Sequence, residues 1–173
     1  MSQSINLYKQ LANHKLFNKS VNFGLKRIKL ALALLGHPEK KLKNVISVVG
    51  ESGKFTTLFS LKSFIEASNQ NVTTHISPSL RDIRERFYMG EKYLNHKEIK
   101  KTIKQIEKLN IPLTIFECLT LVYIINASEL NVDYNIQETG ALWRLDSNNI
   151  HNFPKLQICT NINKQHLNFL KRK

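Results

Sequence analysis

Apolar positions along this chain switch between two periods, and the switching predicts an α/β fold. The run Val45-Ile46-Ser47-Val48-Val49 is short and β-branched, as a buried strand is, and it ends on Gly50. Leu58, Leu61, Phe64 and Ile65 then stripe one face of a helix from Lys54 to about Asn69, so that strand, turn and helix follow one another. Upstream, Leu25, Ile28, Leu32 and Leu35 share one face of a helix stopped by Gly36 and Pro38, and Leu7, Leu11, Leu16 and Phe17 outline a weaker one. Val72 to Ile76 alternates with Thr and His as a second strand does, and Ser77-Pro78 ends it because proline lacks a ladder donor. Residues 79–95 read as a long polar loop in which Arg84, Glu85 and Arg86 are surface charge. Ile99, Ile103 and Ile106 predict a mostly exposed helix from Lys97 to Leu109, whereas Thr114 to Ile125 predicts one that is apolar nearly all round and therefore internal. Val132–Gln137 and Leu156–Thr160 are the remaining strands.

The turn after the first strand carries candidate chemistry. Gly50, Gly53 and Lys54 lie between a strand and a helix that opens with Thr56 and Thr57. Backbone N–H groups at such a helix mouth attract anions, glycines let one approach, Lys54 adds a full charge, and a threonine hydroxyl is within reach of a magnesium ion. The spacing is shorter than that of the common P-loop, so an ordinary turn with a chance Gly-Lys pair stands as the alternative. Glu117 is the other singular residue, a carboxylate inside an apolar helix. Its burial is costly unless it is paired with Arg or Lys, protonated, or bound to a cation.

Composition changes this picture little. The 173 residues are 42% hydrophobic, enough for one domain with a real core. Net charge is +13, which permits phosphate-rich partners, but the lysines are scattered and no aromatic-interleaved basic motif points to RNA. Nucleic acid ranks last among the readings. Cys118 and Cys159 sit in separate apolar segments and are expected in the core of a reduced, cytoplasmic protein. No apolar run is long enough to span a bilayer, so no membrane partner is expected.

Several stretches, in this order, resemble the folylpolyglutamate synthase/dihydrofolate synthase family of Mur-ligase-like ATP-dependent amide ligases. Phe23 to Ile28 is similar to its FGLxRI, Leu35 to Pro38 to its LGxP, and Gly50 to Thr57 stands where it has GTNGKGST or GTNGKGTT. Ser77 to Leu80 resembles SPHL, Glu85-Arg86 the ER that follows, and Thr114 to Thr120 TFFEFLT. Glu138 to Asn149 is similar to EVGLGGRLDATN, and Thr160 to His166 to TNIGLDH. The resemblance implies a P-loop-type parallel sheet flanked by helices, like the central domain of Mur ligases, here truncated. It implies residues 1–43 as a helical segment packing on the core and residues 44–173 as a partial ATP-binding domain, without the C-terminal glutamate-ligase domain. By the same resemblance MgATP would bind at Gly50, Gly53, Lys54, Thr56 and Thr57. Ser77, Glu117 and His166 would be magnesium ligands with Thr56 near the phosphate-side ion; Lys54, Glu117 and His166 would serve catalysis, and Gly24 and Leu25 would line the pterin pocket. The implied reaction joins glutamate to a folate or pteroate carboxylate through an acyl phosphate. A complementing C-terminal polypeptide is an implied partner.

The departures define a second expectation. Glu51 and Ser52 replace Thr-Asn and put a negative charge beside the phosphates. Phe55 is bulky where a small residue is usual, Leu142 and Trp143 replace two glycines, Ser79 replaces His and Gln165 replaces Asp. A catalytically inactive nucleotide-binding or scaffold protein is therefore the alternative.

Overall fold

The computed structural model of the chain describes residues 7, 9, 11, 13, 14, 17, 18, 24–140 and 143–162. In chain order the elements are β1 (Phe17–Asn18), α1 (Lys26–Leu34), β2 (Val45–Val49), α2 (Lys54–Ala67), β3 (Val72–His75), β4 (Phe87–Met89), α3 (His96–Glu107), β5 (Leu113–Thr114), α4 (Ile115–Ala127), β6 (Tyr134–Glu138) and β7 (Leu156–Cys159). The main sheet has the order β4-β3-β6-β2-β7, and all its pairs are parallel except β3 with β4. β1 and β5 form a separate parallel pair. A parallel sheet needs cover on both faces, and it has it. Helix α2 closes one face over Ile46, Val48, Val72, Ile76 and Ile136 through Leu58 and Ile65. Helices α1, α3 and α4 build the larger cluster, around Ile28, Leu32, Ile99, Ile103, Ile106, Leu119 and Leu121.

The face under α4 is not apolar. Thr73 and His75 of β3 stand opposite Asn135 and Gln137 of β6, and all four are buried. Thr73 Oγ1 bonds to Asn135 Oδ1 at 2.7 Å and to the Tyr123 hydroxyl of α4 at 2.8 Å, so polar atoms that would each be costly alone satisfy one another. The alternation of apolar and polar residues in these strands, which in a half-exposed sheet marks inside and outside, here separates two buried faces.

The internal helix is α4, with its residues from Glu117 to Ile124 buried. Several expectations change, and Phe17, expected on a helix, pairs with Leu113 as β1. Residues 79–95 are not simply a loop: a single 3-10 turn, Ile83–Arg86, leads into β4, and Arg86 is buried rather than surface charge. Helix α3 is less exposed than its lysines suggest, because Ile99, Thr102, Ile103 and Ile106 are buried against the core. Cys118 is buried as expected, and burial pushes its thiol pKa up, but Cys159 on the edge strand is exposed. Of the N-terminal segment, Leu7 and Leu11 are helical and buried. Among the described residues no helix is long and apolar enough to cross a membrane.

Candidate functional site

Parallel strands bring their carboxyl ends to one side of the sheet, and in such folds that edge is where ligands settle. The turn Gly50 to Gly53 leaves β2 between the ends of β6 and β7. Gly50 has φ 127° and Gly53 φ 81°, both in the region that favours glycine. Gly53 is the N-cap of α2 and supplies no side-chain cap, whereas α3 and α4 begin with full capping boxes from Asn95 and Thr114. The first-turn amides of α2 therefore open on the crevice without a side-chain acceptor. Lys54 curls over this mouth, its Nζ donating to Gly50 O at 2.9 Å and Glu51 O at 3.1 Å. Thr56 is exposed and Thr57 half-buried one turn further on. The Phe55 ring lies on Phe59, with centroids 4.4 Å apart, so it runs down the helix rather than across the mouth.

The acid facing Lys54 is Glu138, at the end of β6. Its Oε1 lies 4.0 Å from Lys54 Nζ, and its Oε2 accepts from the Ser77 amide at 3.1 Å. Burial raises the Glu138 pKa, while the Ser77 amide, Lys54 and Arg86 pull it down. Arg86 reaches the same place from the 3-10 turn, donating to Ser77 Oγ at 3.2 Å. Asp146 stands behind, accepting from Gly140 N and Asn148 N at 2.9 Å each; burial lifts its pKa to about 6 despite these amides and the Lys54 charge. Lys54, Ser77, Glu138, Arg86 and Asp146 thus form one charged cluster.

Glu117 is placed elsewhere. Its Oε2 accepts from Thr114 N at 2.7 Å to complete its own helix cap and from Arg27 Nε at 3.1 Å, and its Oε1 lies 3.1 Å from Arg27 NH2. Among the described residues it makes no contact with Lys54 or Ser77, so the pairing alternative accounts for its burial. Arg27 is the second residue of α1, just after Gly24 and Leu25. The Gly24 amide donates to Leu145 O at 3.4 Å, which brings the start of α1 against the loop that carries Asp146. Gly140 permits this crowding, since a Cβ there would lie 2.8 Å from Asp146 Oδ2 and 3.3 Å from Phe116 Cζ. His166, Leu142 and the Trp143 side chain lie outside the described residues. No three His, Cys, Asp or Glu side chains among the described residues are grouped to hold a metal. The site residues missed in the sequence are Glu138, Arg86 and Asp146. Glu138 could have been found from its place at the carboxyl end of a central parallel strand.

No protein-family model matches the chain. Dihydrofolate synthase/folylpolyglutamate synthase of Bacillus subtilis (strain 168) is 31% identical over 156 residues, which cover 85% of this chain and 36% of that protein. Among solved structures, E. coli FolC in complex with DHPP and ADP superposes with a TM-score of 0.88 at 30% identity, covering 98% of this chain and 40% of that one. Bifunctional folylpolyglutamate synthase/dihydrofolate synthase from Yersinia pestis, complexed with AMPPNP and Mn ion, gives 0.76 at 28% identity over 84% of this chain and 35% of that one. The chain spans just over a third of the length of the curated relative from Bacillus subtilis. By sequence and by fold it belongs to the dihydrofolate synthase/folylpolyglutamate synthase family and corresponds to the N-terminal portion of that family's proteins.

Proposed function

We propose that this chain binds ATP with a divalent cation at the Gly50–Thr57 turn, in the service of an ATP-dependent amide ligation. In that reaction a folate or pteroate carboxylate is activated as an acyl phosphate, and the amine of glutamate displaces the phosphate. The observation that carries the reading is the meeting, in one crevice, of an uncapped helix mouth, Lys54, and the paired Ser77 and Glu138. First-turn amides of α2 hold phosphate oxygens, and Lys54 offsets charge on the group being transferred. Its ammonium now rests on two neutral carbonyls at the lip of the turn, so a small swing delivers it to an anion.

The residues present suit a hard cation such as magnesium. Ser77 and Glu138 offer oxygen donors, and the buried Glu138 carboxylate, whose ammonium partner among the described residues is 4.0 Å away, is incompletely neutralised. We assign the acid of the metal site to Glu138 rather than Glu117, with Thr56 on the phosphate side and His166 as a further ligand. Bound there, the cation would neutralise charge on the triphosphate. The neighbourhood of Gly24, Leu25 and the Asp146 loop is the place for the pterin end of the substrate. In this arrangement residues 44–173 form the nucleotide-binding part and residues 1–43 pack on it.

Calorimetric titration of ATP with and without magnesium tests the reading. Lys54→Ala should weaken MgATP at least about tenfold, or about 1.4 kcal/mol; equal affinity in variant and wild type would refute it. A nucleotide-binding protein without catalysis is the second reading, favoured by the Glu51 carboxylate inside the turn. It predicts MgATP binding with no folate- and glutamate-dependent phosphate release.

A further inference from the structure

The end of β7 touches the turn that follows β2. Parallel pairing of β2 with β7 runs to Val49 opposite Cys159 and then continues past both strands. Thr160 N donates to Val49 O at 2.9 Å, and Glu51 N donates to Asn161 O at 3.3 Å. This extension sets the Asn161 side chain against the turn, where its Oδ1 accepts from Glu51 N at 3.2 Å and from Ser52 N at 2.9 Å. Gly50 makes the approach possible: a Cβ there would overlap Thr160 Oγ1 and lie 2.9 Å from Asn161 O. The amides of the turn are therefore divided. Those of Glu51 and Ser52 are taken from the β7 side, and those that open α2 face the crevice without a side-chain cap. A carboxamide oxygen suits the first task, since it accepts two N–H bonds without bringing a charge near the phosphates.

We infer that Asn161 is a positioning residue for the nucleotide site, holding the first half of the turn from the strand side so that the second half keeps a shape that fits an anion. The inference rests on the function proposed above and adds to it the residue that shapes the loop. Two measurements separate the two claims: amide hydrogen exchange at Glu51 and Ser52 by NMR in the ligand-free chain, and the Kd for MgATP. In Asn161→Ala, exchange at the Ser52 amide should quicken about tenfold and that at Glu51, which keeps the Asn161 carbonyl, by less, while the core amides hold and MgATP weakens by a factor similar to that at Ser52. Asn161→Asp retains the acceptor, so exchange should stay slow, while its charge beside the turn keeps MgATP weak. Should Asn161→Ala fail to fold, Asn161→Ser serves, because its short hydroxyl cannot span both amides. Unchanged exchange at Glu51 and Ser52 overturns the inference. So does tighter MgATP binding, which would make Asn161 an occupant that the nucleotide has to displace. A wild-type chain that binds no MgATP defeats the proposed function, and the exchange data then decide the latch alone.

Discussion

Acid should destabilise this protein through His75, and the size of the effect can be worked from its surroundings. The ring is fully buried, stacked on Tyr123 at 5.1 Å and on Phe87 at 5.7 Å, with Nδ1 3.3 Å from Asn148 Oδ1 and no partner for Nε2 among the described residues. Burial first, and the nearby Arg86 charge second, push its pKa from 6.5 down to about 3, against a small opposing pull from Asn148. The unfolded chain therefore takes up this proton first as pH falls, and stability is lost from about pH 6.5 downward. At about 1.36 kcal/mol per unit, the loss is roughly 2 kcal/mol by pH 5 and approaches roughly 5 kcal/mol near the folded-state value. Asp146 works the other way: its pKa, raised to about 6, favours the folded state as pH drops through that value. His151, pushed down to about 4 by burial, adds to the His75 effect. The perturbation that isolates the term is His75→Phe, which keeps the aromatic stack and removes both ring nitrogens. Urea unfolding from pH 7 to pH 5 should show the variant losing about 2 kcal/mol less than the wild type. Parallel losses in the two proteins would refute the reasoning, because the imidazole would then be either hydrated or charged inside the fold.

Other consequences follow from the site and its supports. Glu138→Gln should remove the magnesium dependence of ATP binding seen by calorimetry, whereas Glu117→Gln should leave it intact and lower unfolding free energy by about 1–3 kcal/mol through the lost Arg27 pairing. Gly50→Ala combines a positive φ with a steric overlap at Thr160 and Asn161, so thermal unfolding should shift down by the equivalent of at least about 1–3 kcal/mol. Tyr123→Phe should cost about 1–2 kcal/mol in urea unfolding, since it leaves Thr73 Oγ1 with one partner fewer inside the core.

What the sequence made legible was local, and what it hid depends on distant partners. β2, its turn and α2 could be read residue by residue because a β-branched run, two glycines and a helical stripe each report on their own neighbourhood. β4 could not, because Phe87–Met89 is a strand only through antiparallel pairing with β3. Arg86 looked solvated beside Arg84 and Glu85, yet Glu85 turns to the amides of Leu80 and Arg81 while Arg86 goes inward to Ser77. Glu117 drew attention because its apolar neighbours made it conspicuous. Glu138 did not, because its neighbours in β6 are polar. The local contrast that marked an unusual acid was thus a measure of cap and ion-pair requirements, and the acid of the crevice was set by where its strand ends.

The polar seam between β3, β6 and α4 has one further effect, on which alignment the sheet accepts. Val72 and Ile76 on the α2 side make non-directional apolar contacts, which do little by themselves to oppose a two-residue slide of β3. The bonds from Thr73 to Asn135 and Tyr123 do oppose it, because the shift parts Thr73 from both partners and strands these polar groups where water cannot reach. Selectivity among otherwise equivalent strand alignments thus resides in hydroxyl and amide groups, and greasy contacts supply the driving force without choosing among them.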